Sequence, residues 1–131
     1  MSKKVALIIM FCILGGILIF HFLVFSELIP YDKVWAGKLN SVPEMKAFET
    51  FSIVLNAFIL TILVVKYNLL ERKKRHKAID ILIWIFSAFF ALNTIGNLFA
   101  QSIIELILGT LLTLLLSILC IIIVKKEKTK V

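Results

Sequence analysis

Long apolar runs separated by short polar breaks set the pattern of this chain. Apolar residues dominate positions of about 5–28, 48–69, 79–96 and 102–124. Each run comes close to the ~20 residues that an α-helix needs to cross the hydrocarbon of a bilayer. The first run ends at "ELIPYDKVW", where Pro30 lacks a backbone donor and restricts the residue before it. Ahead of the second run, Asn40 or Ser41 can cap a helix, and Pro43 suits its first turn. From Ile79 to Val124 there are 46 residues without Lys or Arg. As one helix that stretch would reach about 69 Å, twice a bilayer, so a reversal is required.

The reversal falls within "FFALNTIGNLFAQSIIEL", where Asn93, Thr94, Gly96, Asn97, Gln101, Ser102 and Glu105 interrupt the apolar run. Gly96-Asn97 can take the left-handed conformation that ends helices, and Gln101-Ser102 can cap the next one. The expected fold is therefore all-α. It is an antiparallel bundle of four transmembrane helices forming a single domain over residues 1–131, with an outer loop at 29–47 and a cytoplasmic loop at 70–78. In the outer loop, Tyr31 and Trp35 are amphipathic rings suited to anchoring at headgroup level.

Composition strengthens this expectation. The 131 residues are 61% hydrophobic and 18% charged, and the mean hydropathy is +1.05. A soluble domain would be about half apolar and about a quarter charged. The apolar run after Lys3-Lys4 exceeds the ~7–15 residues of a signal-peptide core and lacks a small-residue cleavage site, so it reads as a retained span.

The net charge of +7 is distributed unevenly. Twelve of the fifteen basic residues lie before the first run, from Lys66 near the end of the second to the start of the third, or after the last. Only Lys33, Lys38 and Lys46 fall in the outer loop. The bias orients the chain with both termini in the cytoplasm. It reads as topology and not as a nucleic-acid surface, although the same basic runs could hold anionic lipid. Cys12 and Cys120 lie at similar depth on the first and last spans, where contact is open to them, and they read as small apolar fillers.

Polar residues within the spans are the candidate chemistry. Glu49, Ser52 and Asn56 share one face of the second span at i, i+3 and i+7 spacing. Glu105, Gly109, Thr113, Ser117 and Cys120 form one stripe along the fourth. His21 lies in the outer third of the first span, and Asn93 lies below the outer boundary of the third. Each helix thus brings a polar side chain to the outer half, and the inner half shows little beyond Ser117 and the thiols. An ionisable group inside a span is costly and points to function. His21, Glu49, Ser52, Asn56, Asn93, Asn97 and Glu105 are therefore the candidate residues of a pocket for a small or lipidic ligand. Within it, His21 and Glu49 would pair or exchange a proton, and the asparagines would donate oriented amide bonds.

Two alternatives stand beside this. The polar groups could instead join helices in a structural or assembly subunit, including a homo-oligomer. They could also serve a membrane enzyme that uses His21 with Glu49 as an acid–base pair. No ligand set at metal-binding spacing, nucleotide loop, Ser-His-Asp pattern or Cys-x-x-Cys appears, so no metal or cofactor is expected. The first span lacks the embedded glutamate of small multidrug transporters and the glycine-rich, arginine-bearing helix of fluoride channels.

The segments "HFLVFSELIPYDKVWAGKL", "EMKAFETFSIVLN" and "LNTIGNLFA" carry an HF…IPY…W-x-G…EM…FE pattern with LNT-x-GN. In this the chain resembles a group of uncharacterised small bacterial four-span membrane proteins, over most of its length. The resemblance implies the four-helix layout and points to His21, Tyr31, Trp35, Glu44, Phe48, Glu49, Asn93 and Asn97. It implies no mechanism.

Overall fold

The computed structural model describes residues 2–29, 41–100 and 103–125. Among these, every regular element is helical. Helix α1 spans Lys3–Phe25 and opens with the Ser2 hydroxyl accepting the Val5 N–H at 3.2 Å. It closes earlier than the proline-based stop predicts. Glu27 takes a left-handed φ of 69°, and the N–H groups of Glu27 and Leu28 donate to the carbonyls of Val24 and Leu23 at 3.0 Å each. This double bond pattern satisfies carbonyls that the helix end would otherwise orphan. Pro30, Tyr31 and Trp35 lie outside the described residues.

Helix α2 spans Val42–Glu71. It starts well before the apolar run because the Ser41 hydroxyl accepts the Glu44 N–H at 3.2 Å and Pro43 sits in the first turn. Its far end repeats the α1 closure. Lys73 has φ 53°, with bonds from Lys73 N–H to Leu70 O at 3.1 Å and from Lys74 N–H to Leu69 O at 2.8 Å. Both closures place a side chain where the Cβ is crowded, at a cost of about 1–2 kcal/mol each relative to glycine. Glu27→Gly and Lys73→Gly should therefore each raise stability, by up to about 1 kcal/mol once the extra freedom of unfolded glycine is subtracted. Reversible unfolding in mixed micelles measures this.

Helix α3 spans Lys77–Asn97, with His76 at its cap making no side-chain capping bond. Here the left-handed expectation for Gly96-Asn97 fails. The helix runs through both residues and tightens through three successive i→i−3 bonds, ending with Ala100 N–H to Asn97 O at 3.1 Å. Gln101 and Ser102 are outside the described residues. A π-helical stretch, Glu105–Gly109, then leads directly into α4 at Thr110–Val124.

The core takes Leu7, Met10 and Leu14 from α1, Ile59 and Leu63 from α2, Ile83 and Phe86 from α3, and Leu116 and Ile123 from α4. Packing is most extensive between α3 and α4 and between α1 and α2, with smaller α1–α4 and α2–α3 contacts. The core is thin. Only 22–33% of the most apolar window of each helix is buried, so most of the apolar surface faces outward. A water-soluble monomer exposes no such continuous area. The chain thus has four helices long and apolar enough to cross a membrane, the pattern of a membrane protein. Cys12 is exposed, Cys120 is buried, and the two are not joined by a disulfide.

A buried His21–Glu49 pair as the candidate functional site

The buried face of α2 is a single stripe of Met45, Glu49, Ser52, Ile59, Leu63 and Lys66, at the i+3 and i+4 steps that keep side chains on one side of a helix. Glu49 is therefore carried inward by the same periodicity that buries its apolar neighbours. On α1, His21 shares a face with Leu14, seven residues earlier, and Val24, three later, and both of those are buried. The two faces meet. The Nδ1 of His21 lies 2.6 Å from the Oε2 of Glu49, with the glutamate side chain fully buried and the histidine side chain 15% exposed. The Phe20 ring meets the imidazole edge-on at 5.7 Å between centroids, and Val24 and Met45 pack together as a small apolar cluster on the same two helices.

The other predicted members of α2 behave differently. Ser52 is buried. The Asn56 amide donates to the Ser52 carbonyl at 2.7 Å, which satisfies it within its own helix. Glu49 is thus the member of that face that bonds across to α1.

A second polar group joins α3 to α4. The Thr94 and Thr113 hydroxyls are 2.9 Å apart, Thr113 donates to the Gly109 carbonyl at 2.7 Å, and the Asn97 amide donates to the Thr113 hydroxyl at 3.4 Å. Gly109 makes room for this. A Cβ there would lie 2.9–3.0 Å from the Asn97 carboxamide atoms. Deeper in the same interface, the Ser87 and Ser117 hydroxyls each donate to the other's carbonyl, at 3.0 and 2.9 Å. Gly109, Thr113 and Ser117 of the stripe read along the fourth span therefore face α3.

Gly109→Ala should dislodge the Asn97 amide and cost no more than one interhelical bond, about 0.6 kcal/mol on average in membranes. In an Asn97→Ala background the clash is gone, and the same change should be neutral or stabilising by up to ~1 kcal/mol through helix propensity. A double-mutant cycle of unfolding free energies reads this non-additivity.

Of the residues expected to gather from all four helices, His21 bonds to Glu49 and Asn97 to Thr113. Asn93 is exposed beside the exposed Leu92 and Ile95. Glu105 is half-buried at the start of the π-helical stretch. Asn97 belongs to the α3–α4 group. Asn93 lies at the edge of the α3 stripe, seven residues after the buried Phe86, while Thr94 and Asn97 carry that stripe on towards α4.

One cluster escaped the sequence reading altogether. Lys66 of α2 reaches Asp80 of α3 with Nζ–Oδ1 at 2.6 Å, and Arg75 Nε reaches the other oxygen of Asp80 at 2.9 Å. The Lys66 side chain is 3% exposed and that of Asp80 10%. Lys66 had been counted with the topology charges, yet it continues the seven-residue series Met45, Ser52, Ile59, all buried. That spacing was the available signal. Among the described residues no three His, Cys, Asp or Glu side chains converge as a metal-binding set.

Comparison with known proteins finds no family model, no curated protein and no solved structure that matches this chain.

Proposed function

We propose that this chain is an antiparallel bundle of four transmembrane helices in a bacterial cytoplasmic membrane, with cytoplasmic termini, that binds or carries a small or lipidic molecule at the His21–Glu49 pair. The skewed distribution of Lys and Arg supports the orientation. The order of partners supports the antiparallel arrangement. Lys4 meets Glu71 while His21 meets Glu49, and Ser87 meets Ser117 while Thr94 meets Thr113.

The observation that carries the binding role is a fully buried carboxylate 2.6 Å from a histidine that retains partial exposure, inside two spans. Such groups are expensive in a bilayer and mark functional sites by default. With Glu49 ionised, the carboxylate can only accept, so the imidazole donates through Nδ1–H and the ring tautomer is fixed. In the neutral ring Nε2 is then the acceptor, with no partner among the described residues. A hydroxyl or amine on a largely apolar molecule fits it.

Solvent extraction of protein purified in mild detergent, followed by mass spectrometry, tests this. The wild type should retain a compound that His21→Gln and Glu49→Gln each lose by about tenfold or more, equivalent to one hydrogen bond to a charged group. Asn93→Leu should keep it. A wild type carrying bulk lipid alone, or variants that keep the compound, contradicts the proposal.

The mutual saturation of Thr94, Thr113, Asn97 and Gly109, and of Ser87 with Ser117, favours a second reading for the α3–α4 half. There the polar groups serve as helix-to-helix fasteners, as in a structural or assembly subunit.

A further inference from the structure

The connector between α2 and α3 reads Arg72, Lys73, Lys74, Arg75, His76, Lys77, and all six residues are exposed. Two acids adjoin it, and both are already engaged. Glu71 holds Lys4 at 2.8 Å, and Asp80 holds Lys66 and Arg75. Of the basic residues at this end, Lys66 and Arg75 are therefore internally compensated, and no described acid pairs with Arg72, Lys73, Lys74 or Lys77.

The backbone that carries these four cations is also closed by hydrogen bonds. The left-handed Lys73 and the Lys74 N–H bond to Leu69 O at 2.8 Å close α2 in a fixed turn, and α3 begins at Lys77. A charge that served only to orient the chain would need no such geometry. The turn joins two helices long and apolar enough to cross a membrane, which sets it at the level of lipid headgroups. Ammonium and guanidinium groups at that level complement phosphate oxygens.

We infer that the α2–α3 turn is a binding surface for anionic phospholipid headgroups, with Arg72, Lys73, Lys74 and Lys77 as its cations. The inference rests on the membrane-spanning part of the proposed function and not on the His21 site. Lys66 and Arg75, although basic and adjacent, contribute by building the turn.

The test reconstitutes the full chain in bilayers of phosphatidylcholine and phosphatidylglycerol and measures association of spin-labelled forms of each lipid. The wild type should prefer phosphatidylglycerol at least about threefold, below a ceiling of about fivefold per cation. The preference should shrink in about 0.5 M salt, where screening is strong. Replacing Arg72, Lys73, Lys74 and Lys77 together by glutamine should bring it near parity, while Lys46→Gln should leave it intact.

The paired variants Arg72→Gln/Lys74→Gln and Lys73→Gln/Lys77→Gln guard against misfolding of the quadruple one, and each should lose about half of the preference on a logarithmic scale. Parity in the wild type, or full preference in the glutamine variants, overturns the inference. Neither result touches the compound held at Glu49, which the quadruple variant should still retain.

Discussion

Replacing Asp80 by leucine should destabilise the folded bundle by about 3–5 kcal/mol, the range for removing one partner of a buried ion pair. The Lys66 ammonium is 3% exposed and bonded to Asp80 at 2.6 Å. Without the carboxylate it is a buried charge with nothing opposite. Lys66→Met should cost a similar amount for the mirror-image reason. The double variant Lys66→Met/Asp80→Leu removes both charges and should recover most of the loss, because the pair itself gains little over well-packed apolar groups. Arg75 is half-exposed, so Arg75→Gln should cost under about 1 kcal/mol. Denaturant-driven unfolding in mixed micelles, followed by Trp84 fluorescence or helical signal, measures all four. Equal losses in the double and single variants would contradict the electrostatic account.

The second large effect belongs to the other end of the helices. His21→Leu should destabilise by about 2–3 kcal/mol, since it strips a fully buried carboxylate of its nearest donor. The cost should fall below that at Asp80 because Glu49 keeps a further interaction beyond His21. Glu49→Gln should be milder, about 1 kcal/mol, since a neutral carboxamide is cheaper to leave buried than a carboxylate; it can present either its carbonyl or its NH2 to Nδ1, so it no longer fixes the ring tautomer. His21→Leu/Glu49→Leu should be more stable than His21→Leu alone. That double variant also separates structure from function: it should fold, assemble normally, and hold none of the bound compound. A folded double variant that keeps the compound would assign the pair to helix fastening.

Much of this was legible in the residues. The 46-residue stretch without a basic residue is too long for one span, and it is divided into α3, ending at Asn97, and a helical stretch starting at Glu105. The i, i+3, i+7 spacing of Glu49, Ser52 and Asn56 marks the face that the structure buries for Glu49 and Ser52. Gly109, Thr113 and Ser117 of the fourth-span stripe likewise face a neighbouring helix.

What escaped depends on phase and on long side chains. Asn93 is close in sequence to Thr94 and Asn97, but one position of helix rotation, ~100°, moves a side chain from a neighbour to the outer surface. Local polarity cannot decide between those directions when the whole helix is apolar. Lys66 looked like a topology charge because it borders the basic run. Its buried course was visible only in the seven-residue series on α2, and its partner lies across a turn, fourteen residues on. The helix ends at Glu27 and Lys73 were hidden for a different reason. Left-handed closures favour glycine, and here a glutamate and a lysine occupy them.

Solid-state NMR of the labelled protein in its native lipid most directly tests whether His21 and Glu49 form a ligand site within the bilayer. The predicted spectrum correlates His21 Nδ1 with the Glu49 carboxyl carbon. It also correlates Nε2 with a signal that belongs to neither protein nor water, and Glu49→Gln abolishes that second correlation. A ring whose Nε2 exchanges only with water, or that shows no contact with Glu49, would contradict it.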